Sequence, residues 1–130
     1  MYHYTALVTL LAILLYMFAS MRVSWARTKF GVKLPATFGN EDFERVFRAH
    51  MNMLEFMPVF LPSLWLFAIY LSDAIAAAIG AVWIIGRILY MVGYAKSVPQ
   101  RGPGFAIQLL ATSALLLGAL GAVVWRIVHG

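Results

Sequence analysis

Four long apolar runs alternate with short polar segments along the chain, and within each run the apolar residues occupy every helical face instead of one stripe. Such all-round apolarity predicts helices surrounded by lipid, because a helix lying on a soluble core keeps a polar face. The first run, Met1 to Met21, holds no Lys, Arg, Asp or Glu. It lacks the basic start and the small-residue cleavage site of a signal peptide, so it reads as a retained first transmembrane helix. Tyr2 and Tyr4 at one end and Trp25 beyond the other suit interfacial aromatic belts. Arg22 to Asn40, with Arg22, Arg27, Lys29 and Lys33 and the breakers Gly31, Pro35 and Gly39, reads as a basic loop.

Glu41 to Leu71 starts as a charged amphipathic helix and ends as an apolar one with no break between. Asn40 is its expected N-cap, and Glu41, Asp42 and Glu44 put negative charge where the helix dipole favours it. At 1.5 Å per residue the stretch spans about 45 Å against a hydrocarbon thickness of about 30 Å, so its first turns project beyond the bilayer core. Arg48, Asn52 and Glu55 fall at i, i+4 and i+7 and share a face, with Arg45 one turn earlier. Pro58 and Pro62 bend the apolar half, as membrane helices tolerate.

Ser72 and Asp73 form the shortest connection, and Ala74 to Gly86 is the third apolar run. It leads into Arg87, Tyr90 and Tyr94, at i, i+3 and i+7 on one face. An arginine in a membrane helix needs a partner, and Glu55 is the only intramembrane carboxylate, so an antiparallel hairpin of helices two and three is expected to bring the two together. Lys96 to Gly104 is a second basic turn that contains Arg101. Phe105 to Trp125 is the fourth helix, on which Ala114, Gly118 and Ala122 offer a small-residue packing seam.

Composition agrees with this reading: 130 residues, 63% hydrophobic and 12% charged, describe one integral membrane domain over residues 1–130 with no repeat or linker. The fold class expected is all-α, a bundle of four transmembrane helices. The net charge of +5 comes from cations scattered over membrane-flanking segments without a basic-aromatic patch, which argues against nucleic acid. There is no cysteine, so disulfides and a cysteine nucleophile are excluded, and three dispersed histidines argue against a metal site. Nearly all Lys and Arg flank the ends after helices one and three, which by the positive-inside rule places those ends and the polar faces in the cytoplasm.

The resulting constellation is Arg45, Arg48, Asn52, Glu55, Arg87, Tyr90, Tyr94 and Arg101. Guanidinium groups recognise carboxylates or phosphates, a lone carboxylate suits an ammonium, and tyrosine and asparagine add directional bonds. A small anionic or zwitterionic molecule matches such a site. No nucleophile-base-orienter triad is visible. His50 lies on another face of helix two and reads from the residues as a packing or subunit-contact histidine.

The run Glu44-Arg45-Val46-Phe47-Arg48-Ala49-His50-Met51-Asn52-Met53-Leu54-Glu55, followed by Pro58, resembles the signature of the membrane-associated proteins in eicosanoid and glutathione metabolism. Gly86-Arg87-Ile88-Leu89-Tyr90-Met91-Val92-Gly93-Tyr94 resembles the third-helix motif of that superfamily, and Arg101 stands where its glutathione-using members carry an arginine. The resemblance covers essentially the whole chain. It implies a homotrimer of four-helix subunits that binds glutathione between neighbours near the cytoplasmic face. It also implies that Arg48, Asn52, Glu55, Tyr90 and Tyr94 hold the tripeptide, that Arg87, Arg27 and His50 stand at positions of the binding set, and that Arg101, with Tyr94 as second choice, activates the thiolate. Phe56 stands where the leukotriene-forming member has a tyrosine, so one hydroxyl contact is absent.

The activity implied is a glutathione transferase, with or without peroxidase activity, acting on a lipophilic electrophile or lipid hydroperoxide that arrives through the bilayer. A non-catalytic lipid-binding protein similar to the five-lipoxygenase-activating member is the alternative. A proton-coupled exporter using Glu55 is disfavoured because the surrounding arginines would hold that carboxylate ionised.

Overall fold

Side-chain caps set the chain reversals. Asn40 Oδ1 accepts from the Phe43 backbone N–H at 3.0 Å, and Ser72 Oγ accepts from Ile75 N–H at 3.2 Å, each satisfying a donor that a helix start leaves unpaired. The computed structural model describes residues 1–130 as α1 (His3–Phe30), α2 (Glu41–Tyr70), α3 (Asp73–Lys96) and α4 (Gly102–His129), with a short 3-10 turn, Pro99–Arg101, before α4. All four helices are long and apolar enough to cross a bilayer. The all-α, four-helix expectation therefore holds.

The boundaries of the first and fourth helices differ from the sequence reading. The first helix continues to Phe30, so Arg22, Arg27 and Lys29 ride on α1 and the loop proper begins at Gly31. No Gly or Pro interrupts Arg22 to Phe30, whereas Gly31 takes the left-handed conformation (φ 70°) that ends a helix. The fourth helix likewise starts at Gly102 and shortens the second basic turn. Pro58 and Pro62 lie inside an α2 that runs unbroken through both.

The start of α1 has no cap of its own and borrows one. Asp73, at the α2–α3 turn, accepts from the backbone N–H groups of Thr5 (2.9 Å) and Tyr4 (3.2 Å) through its two carboxylate oxygens. Nearby, the Trp65 indole donates to Thr9 Oγ1 at 2.9 Å, a polar link from α1 to α2.

The α2–α3 hairpin is the centre of the bundle. Phe60 and Trp83, both fully buried, stack face to face with centroids 3.8 Å apart. Both α1 and α4 pack on this pair, but they do not touch each other. Only 17% of the most apolar stretch of α1 is covered within the chain, which leaves its leucines for lipid or another subunit.

The closest helix approach joins α3 to α4, and it occurs at Gly86 and Gly104 instead of the expected Ala114, Gly118 and Ala122 seam. A Cβ on Gly86 would fall 2.8 Å from Gln108 N, and one on Gly104 would overlap the Tyr90 backbone. Within the expected seam, Gly118 does receive the Phe67 ring, whereas Ala114 is exposed.

Candidate functional site

Three segments deliver side chains to one polar cleft of about 130 Å³: Arg48, Asn52 and Glu55 from α2, Tyr90 and Tyr94 from α3, and Arg101 from the turn before α4. The helical period explains the first two groups. The third needs the chain to double back, and it does so because Gly93 has no side chain to block the Gln100 carbonyl. Arg101 Nη1 then donates to Val98 O at 2.8 Å, and its guanidinium lies 5.7 Å from the centre of the Tyr94 ring.

Arg87 is near these residues without lining the cleft. It is fully buried, donates from Nη1 to Asn52 Oδ1 at 2.6 Å and from Nη2 to Ala49 O at 3.0 Å, and lies 4.4 Å from the Tyr90 ring centre. The expected partner, Glu55, is not the partner found. Glu55 is exposed at the cleft and makes no ion pair. Arg87 reaches one turn short of it, and the buried cation is served by an amide oxygen, a backbone carbonyl and a π face.

Arg45 also separates from the others. It pairs with Asp42 and donates from Nε to Ala95 O at 3.4 Å. It lines a second cleft of about 350 Å³ together with Glu41, Glu44, Arg48, Tyr94 and Val98. The two clefts share Arg48 and Tyr94, so an elongated polar trough runs from Glu55 outward to Glu41. Glu41 and Glu44 were read from sequence only as complements of the helix dipole. Continuing the Arg48, Asn52 and Glu55 face back by its own period would have reached them.

Two other sequence candidates lie elsewhere in the subunit. Arg27 donates to Ala36 O at 2.6 Å and stacks 4.9 Å from the Phe43 ring centre, clipping the loop after α1 against α2. His50 packs on Tyr16 of α1, with centroids 5.1 Å apart and a buried Nδ1 that has no partner. Phe56 meets Phe105 of α4 edge to face at 5.9 Å, and Phe105 in turn lies 6.1 Å from Tyr90, so an aromatic wall backs the cleft.

Two cations, one carboxylate, an amide and two phenols therefore face one small volume. Such a set can bind a zwitterion with more than one carboxylate, and Arg101 near the mouth can hold an anion that forms there.

Known proteins are similar to this chain along most of its length. An uncharacterised protein of Synechocystis sp. is 51% identical over 122 residues, covering 94% of this chain and 89% of that protein. Microsomal glutathione S-transferase 2 of Homo sapiens is 43% identical over 103 residues (78% of this chain, 70% of that protein). Leukotriene C4 synthase of Bos taurus is 40% identical over 117 residues (89% and 78%). The MAPEG family model matches residues 5–121. With four helices able to span a bilayer and that match along nearly its whole length, the chain is a multi-pass membrane protein of the MAPEG family.

Proposed function

We propose that the protein is a glutathione transferase of the membrane, working as a homotrimer and using lipophilic electrophiles or lipid hydroperoxides. The observation that carries this reading is the convergence of Arg48, Asn52, Glu55, Tyr90, Tyr94 and Arg101 on one cleft. Relatives named as a glutathione S-transferase and as leukotriene C4 synthase support it. Glutathione carries two carboxylates, one ammonium and a thiol, and the trough offers a counterpart to each.

Arg48 and the Asn52 amide bind carboxylate oxygens, Glu55 binds the ammonium, and the tyrosine hydroxyls orient the peptide. Arg101 stabilises the thiolate, with Tyr94 as the second donor to sulfur. A thiolate is the nucleophile, and a fixed cation beside it favours its formation at neutral pH. Attack forms an S–C bond and expels the leaving group of the electrophile with its electron pair, and the thiol proton passes to solvent. Arg27 sits outside the cleft of its own chain, held by Ala36 O and the Phe43 ring, so the part in binding that the resemblance implies would be played at the cleft of a neighbouring subunit. His50 would act at the same boundary. The basic ends of α1 and α3 support a trough that faces the cytoplasm.

Calorimetry with glutathione tests the site. Glu55→Gln is expected to weaken binding by more than the ~0–1 kcal/mol of an exposed ion pair, since the ligand screens the pair from water. Thiol consumption by the purified protein with a chlorinated aromatic and with a lipid hydroperoxide then separates conjugation from peroxide reduction. Glutathione binding with no consumption of either substrate would favour the lipid-binding alternative. Native mass spectrometry tests the trimer. Single cysteines at Thr37 and Ser72 test orientation, with position 37 expected to label from the cytoplasmic side alone.

A further inference from the structure

Arg22 is a half-buried cation with no ion pair in the chain, since the single ion pair joins Arg45 to Asp42. It stands eight residues before the end of α1 at Phe30, about 12 Å along the helix from that end. A half-buried arginine that borders an apolar wall favours an anionic or polar partner. None of the groups that face it from α1, α2 or α3 is a free carboxylate.

Arg22 lines two cavities at once. One, of about 510 Å³, opens toward the polar end of the bundle, with Arg22, Trp25 and Lys29 of α1 facing Asp42 of α2 and Ala95 of α3. Asp42 is already paired with Arg45, and Lys29 has only the Phe30 ring beneath it, so this chamber carries excess positive charge. The other cavity, of about 350 Å³, is an apolar trench between α1 and α3 formed by Leu15, Phe18, Ile88, Met91 and Val92. Phe18 of the trench and Trp25 of the chamber meet edge to face at 5.8 Å, joining the two walls on one side of Arg22. None of the residues lining these two cavities lines the polar trough described above, and the two regions touch through Arg45, which pairs with Asp42 and donates to Ala95 O.

A cationic chamber with an indole at its rim, joined end to end to an apolar trench, has the polarity profile of a lipid at a membrane boundary. We propose that this groove binds an anionic phospholipid of the surrounding bilayer, with the phosphate held by Arg22 and Lys29 and one acyl chain lying between α1 and α3. Guanidinium and ammonium groups match phosphate oxygens, and Trp25 occupies the headgroup level that indoles favour. The inference does not rest on glutathione binding, because Arg22, Lys29 and the trench residues lie outside the polar cleft.

Native mass spectrometry of the full chain, delipidated in detergent and titrated with phosphatidylglycerol or with phosphatidylcholine of the same acyl chains, tests it. The wild type is expected to take one phosphatidylglycerol per chain at about tenfold or higher preference over phosphatidylcholine, as two cations near a headgroup predict. The double change Arg22→Gln and Lys29→Gln is expected to abolish the preference, and Arg126→Gln, at the far end of α4, to leave it intact. Met91→Trp, which fills the trench, is expected to weaken both lipids and keeps the test open if the double variant folds poorly. Equal uptake of the two lipids by wild type, or an undiminished preference in the double variant, would overturn the proposal. A changed number of protomers in the double variant with unchanged lipid uptake would show the groove to be a subunit contact and would also overturn it.

Discussion

Arg87 donates to Asn52 Oδ1 at 2.6 Å, and this bond decides which end of the Asn52 amide meets a ligand. With the oxygen committed to a buried cation, the amide N–H groups are the ones left to face the cleft. Asn52→Asp keeps an acceptor for Arg87 but removes the donor. It is expected to preserve thermal stability while weakening glutathione binding at least tenfold by calorimetry, because a carboxylate then faces the carboxylates of the ligand.

Arg87→Met is expected to act differently. Truncating a fully buried cation leaves Asn52 Oδ1 without its donor, at a cost of about 1–3 kcal/mol, while Ala49 O, inside α2, keeps its helical backbone bond. A lower midpoint in thermal unfolding is the expected readout. Affinity for glutathione falls in parallel, since Asn52 loses its orientation.

Arg101 is expected to govern the protonation of the bound thiol. A free thiol has a pKa near 8.5, and a nearby guanidinium favours the thiolate, so the pKa of the bound thiol is lowered. Arg101→Ala raises it again, which removes thiolate at neutral pH and leaves it present at high pH. Turnover at neutral pH is therefore expected to fall more than affinity does, and raising the pH restores part of the rate. A shift of about two pKa units corresponds to roughly 2.7 kcal/mol. Thiolate absorbance of the bound glutathione checks the assignment directly, and wild-type absorbance in the variant would exclude Arg101.

Gly104 and Gly121 provide an internal comparison on one helix. A Cβ at Gly104 overlaps the Tyr90 backbone, whereas one at Gly121 meets nothing within 4 Å. Gly104→Ala is expected to cost about 1–3 kcal/mol and to disturb the cleft by displacing Tyr90. Gly121→Ala is expected to leave activity unchanged and to raise stability by up to ~1 kcal/mol through helix propensity. Thermal unfolding in detergent distinguishes the two.

Asp73 is expected to support α1 from outside that helix. Asp73→Ala removes the acceptor for Tyr4 and Thr5 N–H and lowers the unfolding temperature, and Asp73→Asn, which keeps one oxygen, lowers it less. Hydrogen exchange at Thr5 reports the loss locally.

Much of this was legible in the sequence because helical period is a strong signal in a membrane chain. Arg48, Asn52 and Glu55 share a face by arithmetic, as do Tyr90 and Tyr94, and the structure brings both sets to one cleft. The partner of Arg87 was not legible. Asn52 and Glu55 lie within one turn on the same face, and the choice between them depends on the axial register of α3 against α2, which the Phe60–Trp83 stack fixes. The end of α1 was misplaced for another reason. Arg22 marks where the polar boundary begins to matter, but a charge does not end a helix, and the stop signal was Gly31. The close α3–α4 approach was misassigned because several glycines and alanines could have made it, and only packing shows that Gly86 and Gly104 do.

The borrowed cap on α1 bears on how the protein is made. Thr5 and Asp73 are separated by 68 positions, so at about 5–20 residues per second the ribosome needs roughly 3–14 s after adding Thr5 to deliver the carboxylate that caps the helix. Through that interval the start of α1 has its backbone donors served by water alone. Its capping therefore follows synthesis of α2 and the turn that carries Asp73. The last helix, which never touches the first, can be added without reopening that seam.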